Sequence, residues 1–196
     1  NEVAPALAAA LATDIPIVAV HLTRPPVEIP DRKSLGMASY MDAAKGAYII
    51  KDYDELKPKE GLVIIRGTSS TNSLIKILPK IKLGGPNVKI VASISWELFQ
   101  RQSEDYRQRI IADQEWMDAM IITNGARRLM HKWIANRVVE EYSMSPDFDN
   151  RWRTGGSLDE IIAESQLDPD SIWDGIKKFA DDRDKRLASI RESIPE

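Results

Sequence analysis

The order of the secondary structure is decided by residues 61–74, which read Gly-Leu-Val-Ile-Ile-Arg-Gly-Thr-Ser-Ser-Thr-Asn-Ser-Leu. The apolar run Gly61–Ile65 predicts a short strand that is buried on both faces, as in a parallel sheet. Gly67 and a run of hydroxyl residues follow, and apolar residues then return at helical spacing at positions 74, 77, 78 and 81. A strand, a loop and a helix in this order are typical of an α/β fold.

The same alternation continues on both sides of this stretch. It predicts strands over residues 46–50, 88–92 and 118–123, with a possible fifth strand over Val138–Tyr142. It also predicts a helical segment over Ser95–Ile111, broken near Gln102-Ser103, and a helix over Ala126–Ile134. Two further helices begin at the capping box Ser157–Glu160 and at Asp168-Pro169. We therefore expect a three-layer α/β sandwich with a mostly parallel, about five-stranded sheet.

The first 35 residues form a separate unit of the pattern. An alanine-rich helix over residues 1–12 is followed by a predicted buried strand over Ile15–Leu22. The stretch Pro25–Gly36 contains three prolines and no periodicity, which predicts an extended linker. This linker is the best domain boundary in the chain, so residues 36–196 are expected to form the main α/β domain.

Composition excludes several classes of function. The chain has 196 residues, no cysteine, two histidines and a net charge of -3. These counts argue against disulfide scaffolds, cysteine nucleophiles, multi-histidine metal sites and general nucleic-acid binding. No apolar stretch approaches the ~20 residues that span a bilayer, and no signal peptide is visible. We therefore expect a cytoplasmic protein that binds neither membranes nor nucleic acid.

Two places could hold an anion. Gly67, Thr68 and Ser69 stand at the start of a predicted helix, where free backbone N–H groups favour phosphate or carboxylate, although helix capping is the commoner use of such residues. Arg24 follows the predicted first strand, where an arginine can clamp a phosphate or form an ordinary ion pair. The mixed charges of Asp181–Arg186 predict a solvated helix face, and the five tryptophans predict core packing or an interface.

Several motifs in order resemble the C-terminal domain of the transketolase family. The predicted strand Lys89–Ser93 is followed by Phe99-x-x-Gln102 and then by Tyr106-Arg107, as in that family. Residues 45–52 are similar to the family's Lys-Gly-Gly-Tyr-Val-Leu-x-Asp, and Leu22-Thr23-Arg24 is similar to its Leu-Ser-Arg-Gln. The alanine-rich start and the ending from Arg151 onward resemble the family more loosely.

This resemblance implies a fragment or subunit of an enzyme that moves a two-carbon ketol unit between sugar phosphates. Residues 1–35 would be the end of the preceding pyrimidine-binding domain plus the linker, and 36–196 the C-terminal domain. Thiamine diphosphate and a divalent cation (Mg or Ca) would bind in the other domains of a homodimer, so the chain alone would be inert and contribute to dimer assembly. Arg24 takes the place of the family arginine that contacts the sugar phosphate.

Departures from the family pattern leave alternatives open. Pro25 replaces the family's Gln, Arg66-Gly67-Thr68-Ser69 replaces its Thr-Gly-Ser-Glu, and Thr123 stands where Glu is common. The parent could therefore be a related thiamine-diphosphate enzyme, such as a deoxyxylulose-phosphate synthase or an oxo-acid dehydrogenase subunit. A free-standing anion- or metabolite-binding module on the same scaffold is the other alternative, with Gly67, Thr68 and Ser69 as its site.

Overall fold

A single mixed sheet lies at the centre of the computed structural model, which describes residues 1–23, 25–151, 153 and 155–193. Its strands are β1 (Ala47–Lys51), β2 (Leu62–Arg66), β3 (Lys89–Ser93) and β4 (Ala119–Thr123). They are arranged in the order β1-β3-β2-β4. The central strand β2 is parallel to β3 and β4, whereas β1 pairs antiparallel with β3. The α/β class and the mostly parallel sheet are confirmed, with four strands in the described residues instead of about five.

The helices follow the order expected from the sequence. They are α1 (Val3–Leu11), α2 (Thr68–Gly84), α3 (Trp96–Gln100), α4 (Glu104–Ile110), α5 (Asp113–Met117), α6 (Arg137–Glu140), α7 (Leu158–Glu164), α8 (Pro169–Asp181) and α9 (Arg183–Ser193). Two 3-10 helices cover Tyr40–Lys45 and Arg127–Trp133. The sequence placed an ordinary helix over the second of these two segments, so its position is confirmed and its type is not.

Side chains alternate between two apolar cores, one on each face of the sheet. Val63 and Ile65 of β2 face the first core, which is closed by apolar residues of α2 and α8. Leu62 and Ile64 of β2 face the second core, which is closed by Phe99, Met130 and Trp133. This alternation has period two, as the pleat of a strand requires. The strands are therefore covered on both sides, which confirms the three-layer arrangement.

Local capping residues fix the helix boundaries. Ser103 accepts a hydrogen bond from the backbone of Tyr106 and begins α4, which confirms the expected break in this segment. The capping box at Ser157 and the cap at Asp168 are also confirmed. Pro79 lies inside α2 without ending it, because the helix continues to Gly84.

The predicted fifth strand over Val138–Tyr142 is wrong. The side chain of Asn136 accepts a hydrogen bond from the backbone N–H of Val139, at 3.1 Å, and so begins the short helix α6. The cap overrides the strand preference of the two valines, since an Asn at this position satisfies a free helical N–H. Further along the chain, Met144 forms an isolated parallel bridge with Ile122 of β4.

The prediction that Asp181–Arg186 forms a solvated helix face is also wrong in part. Asp182 caps the C-terminal end of α8, and a new helix, α9, begins at Arg183. The guanidinium of Arg186 is fully buried, and its Nε lies 2.6 Å from Oδ1 of the buried Asp118. The last helix of the pattern is thus two helices joined at a buried ion pair.

The N-terminal helix is confirmed, but the predicted strand over Ile15–Leu22 is wrong in this structure. The segment has no regular secondary structure, and its apolar side chains point into solvent: Ile17 is 83% exposed and Leu22 is 69% exposed. A strand requires a neighbouring strand for its backbone hydrogen bonds. The described residues of the chain place no such neighbour beside this segment.

Candidate functional site

The expected domain junction is held by a polar clamp that we call the junction clamp, formed by Glu2, Arg32 and Tyr48. The carboxylate of Glu2 accepts hydrogen bonds from the guanidinium of Arg32 and from the hydroxyl of Tyr48. Arg32 also donates to the carbonyl of Ala38 at 3.1 Å and to the Tyr48 hydroxyl at 3.1 Å. Burial, reinforced by the Glu2 carboxylate, raises the pKa of Tyr48 well above its usual value, so the phenol stays neutral. The clamp attaches α1 to the sheet.

Beyond α1 the chain exposes the segment that we call the apolar arm, residues 15–22. Ile17 and Leu22 are mostly exposed, and Val18 and Val20 are 37% and 47% exposed. The exposed residues fall on both even and odd positions, so an extended form of the arm would be apolar on both faces. Arg24, the predicted phosphate contact, follows the arm and lies outside the described residues.

Three polar side chains meet at the carboxyl edge of the sheet, and we call them the carboxyl-edge row: Arg66, Ser93 and Thr123. Arg66 and Thr123 are register partners, and Ser93 is one step beyond the paired Ile65 and Ala92. Strand alternation directs all three toward the face that carries Met130 and Trp133. Ser93 and Thr123 are each 2% exposed. Sequence reasoning missed this row, although it noted Arg66 and Thr123 separately as departures from the family pattern.

Gly67, Thr68 and Ser69 lie together at the start of α2, as the sequence predicted. The backbone of Gly67 has φ +96°, and a Cβ there would fall 1.7 Å from the side-chain oxygen of Asn124. Asn124 also donates a hydrogen bond to the hydroxyl of Ser69 at 3.0 Å. The amide of Asn124 therefore covers the first turn of α2, and anion binding by these three residues stays a prediction.

The tryptophans divide between core and surface. Trp133 is 1% exposed and stacks on Phe99, with the ring centroids 5.6 Å apart. Trp96 and Trp116 are half-buried and line an open cleft of about 230 Å³, and the indole N–H of Trp116 donates to the carbonyl of Trp133 at 2.8 Å. Trp152 lies outside the described residues. Core packing is therefore correct for Trp133, and the expectation of an exposed interface stays a prediction.

Among the residues that the structure describes, neither a metal-ligating group nor a membrane-spanning helix is present. No group of three or more His, Asp or Glu side chains in this part of the chain is arranged to hold a metal ion together. Likewise, no helix among these residues combines the length and the apolar character that a membrane crossing requires.

Relatives of known identity match part of the chain. Chloroplastic transketolase of Solanum tuberosum is 30% identical over 77 residues, which are 39% of this chain and 10% of that protein. Transketolase of Nostoc is 33% identical over 79 residues, which are 40% of this chain and 11% of that protein. The chain therefore matches only about a tenth of the length of these relatives.

Solved structures share the fold. Transketolase from Leishmania mexicana superposes with a TM-score of 0.54 at 14% identity, covering 74% of this chain and 19% of that one. Transketolase from Campylobacter jejuni gives a TM-score of 0.50 at 13% identity, covering 67% and 18%. At this identity the likeness concerns the fold. The sequence model of the transketolase-like TK C-terminal domain matches residues 46–145, just over half of the chain, and the chain therefore belongs to the transketolase C-terminal domain family.

Proposed function

We propose that this chain is the C-terminal part, as a fragment or a subunit, of a transketolase that transfers a two-carbon ketol unit between sugar phosphates. Family membership and the shared fold support the proposal. Residues 36–196 are the C-terminal domain, and residues 1–35 are the end of the preceding pyrimidine-binding domain with its linker. The working protein is a cytoplasmic homodimer, and this part contributes to its assembly.

The observation that carries the proposal is the apolar arm. A largely apolar segment of eight residues costs free energy when it is exposed, because each apolar Å² left in water forgoes about 25 cal/mol of stabilisation. A strand that is apolar on both faces suits the interior of a parallel sheet whose two faces are covered by helices. The arm therefore pairs with strands of the preceding domain, which lies in the remainder of the enzyme.

The junction clamp gives the arm a defined starting point. Glu2, at the beginning of α1, is bonded to Arg32 in the linker and to Tyr48 in β1. Helix α1 is thereby fixed to the C-terminal domain, and the arm leaves from its end. A sheet of the preceding domain that includes the arm is therefore held at a fixed distance from the C-terminal domain. We propose that this arrangement brings Arg24 to the sugar phosphate, which its guanidinium suits geometrically.

We assign thiamine diphosphate and its divalent cation to the remaining domains of the enzyme, as the resemblance to the transketolase family implies. We attribute no step of ketol transfer to this chain. The isolated chain is expected to be inert.

The first test is the size of the native polypeptide in its source cells. We expect a protein of about three domains, on a scale of roughly 100–200 residues each. Purified with thiamine diphosphate and Mg²⁺, it should transfer ketol units between sugar phosphates, while the 196-residue chain should not. Ketol transfer by the purified 196-residue chain alone would contradict the proposal. A native product of only this length with no partner subunit would instead favour a free-standing binding module.

The second test separates the arm from the rest of the surface. Ile17→Asp and Leu56→Asp both change a residue that is at least 83% exposed in this chain, so neither should unfold it. In the three-domain protein only Ile17→Asp should reduce assembly and activity, because only the arm enters another sheet. Equal effects of the two variants in the long protein would exclude the strand assignment. Arg24→Ala should raise the KM for sugar phosphates with little change in folding.

A further inference from the structure

The carboxyl-edge row places an arginine between two buried hydroxyls. Arg66 ends the central strand β2, with Ser93 at the end of β3 on one side and Thr123 at the end of β4 on the other. All three side chains project from the same face of the sheet. Ligands of α/β proteins collect at the carboxyl ends of parallel strands.

Each member of the row has hydrogen-bond donors that the described residues do not use. The described contact of the Arg66 guanidinium is the thioether sulfur of Met130, at 3.8 Å, and no carboxylate of the described chain lies within 4 Å of it. The hydroxyl of Ser93 is buried and has no partner among these residues. The Thr123 hydroxyl accepts from the backbone N–H of Gly125 at 3.1 Å, so its own hydrogen remains for another acceptor.

Such a set is costly without a ligand. A buried hydroxyl that forms no hydrogen bond loses its hydration without compensation, and a negative partner stabilises a half-buried guanidinium. The planar guanidinium of Arg66 carries five N–H donors and can bond two oxygens of a tetrahedral oxyanion. The hydroxyls of Ser93 and Thr123 can donate to the remaining oxygens.

The start of α2 adds a favourable field at the same edge. This 17-residue helix begins at Thr68, with Gly67 as its N-cap, no acidic residue in its first turn and no side-chain cap. The free N–H groups of a helix start attract negative charge. The buried hydroxyl of Ser93, which has no partner among the described residues, points to a ligand independently of this field.

We infer that the carboxyl-edge row binds a phosphate group, with Arg66 as the bidentate contact and Ser93 and Thr123 as hydroxyl donors. The site lies in the C-terminal domain itself and is separate from the proposed Arg24 contact. Inorganic phosphate and a phosphate monoester share the chemistry that the row recognises. The site is independent of the proposed enzyme, because it is complete within residues 66–123.

The test is calorimetric titration of the 196-residue chain with inorganic phosphate and, separately, with glycerol phosphate. We expect saturable binding of at least one of them and a higher melting temperature in its presence. Arg66→Met should weaken that binding about tenfold or more, the effect of losing a charge-assisted pair. The matched control is Arg128→Met on the exposed surface of the second 3-10 helix, which should leave the affinity within about twofold.

Ser93→Ala keeps the test informative if Arg66→Met fails to fold. Removal of an unpartnered buried hydroxyl should leave the melting temperature of the free chain unchanged or higher, and it should still weaken phosphate binding severalfold. A structural hydroxyl would behave in the opposite way, with lower stability and unchanged affinity. Tighter binding of glycerol phosphate than of inorganic phosphate would identify the ligand of the row as a phosphate ester. The inference is overturned if neither probe saturates in the millimolar range, or if Arg66→Met and Ser93→Ala both bind phosphate as the unaltered chain does.

Discussion

Arg186 provides the most direct check on the energetics of this fold. Its guanidinium donates from Nε to Asp118 at 2.6 Å, and it also donates to the carbonyl of Phe179. It lies 3.6 Å from the centroid of the Phe179 ring, and both charged side chains of the pair are at most 8% exposed. This arrangement holds α9 to the amino end of β4, so its removal should affect global stability.

We expect Arg186→Met to lower the free energy of unfolding by about 3–5 kcal/mol, the usual cost of breaking a buried ion pair. Methionine retains most of the side-chain volume, so the loss comes from the uncompensated Asp118 carboxylate and the unpaired Phe179 carbonyl. Arg183, whose Nε is 3.3 Å from Asp118, moderates the loss toward the lower end of that range. For a domain of this size the corresponding fall in melting temperature is roughly 6–20 °C.

Urea unfolding followed by tryptophan fluorescence measures this difference. Lys185→Met is the matched control, because it removes a charge from the adjacent, exposed position and should change stability by at most about 0.5 kcal/mol. The double variant Arg186→Met with Asp118→Asn should lose less than the sum of the two single losses, since each partner is costly mainly without the other. A loss below about 1 kcal/mol for Arg186→Met would refute the reasoning.

Two further changes test close packing and capping. Gly46→Ala should prevent stable folding, because φ is +85° and the new Cβ would fall 2.3 Å from the backbone nitrogen of Phe99. The control is Gly155→Ala, whose new Cβ would meet nothing within 4 Å and which should therefore melt like the unaltered chain. Asp168→Ala should cost about 1 kcal/mol at neutral pH through loss of the α8 cap. Burial raises the pKa of Asp168, but hydrogen bonds from the side chain and backbone of Ser171 outweigh it, so the pKa is lowered in the folded chain. The stabilisation by the Asp168 carboxylate is therefore present above the pKa of the unfolded chain, about 3.9, and is lost as the pH falls through the pKa of the folded chain. The urea midpoints of the unaltered chain and of Asp168→Ala should therefore converge between pH 7 and pH 2. A constant difference between them would show that the carboxylate charge is irrelevant.

Much of the fold follows from local signals in the sequence. Four short apolar runs correspond to the four strands of the described residues, because each has the length of a strand and is bounded by turn residues. The starts of α4, α7 and α8 were set by Ser103, Ser157 and Asp168, whose side chains satisfy free backbone N–H groups. Such features depend on neighbours within four residues, so one sequence suffices to find them.

Two of the failures arose where distant partners decide the outcome. Arg186 lies in a run of alternating charges that resembles a solvated surface, yet its partner Asp118 is 68 residues away in the chain. The carboxyl-edge row was missed for the same reason. Arg66, Ser93 and Thr123 become neighbours only through the strand order β1-β3-β2-β4, which the hydrophobic pattern does not specify.

The wrong prediction of a strand in the apolar arm is an error of a different kind, and it bears on function. The pattern of Ile15–Leu22 predicts a strand buried on both faces, but a strand exists only as part of a sheet. The four-stranded sheet of this chain ends at β1 and β4 and does not include the arm. The contradiction between an interior-strand sequence and an exposed segment is removed if the arm belongs to a neighbouring sheet. An Ile17→Asp variant that is silent in this chain and disruptive in a longer protein would show that the sequence pattern describes the larger assembly.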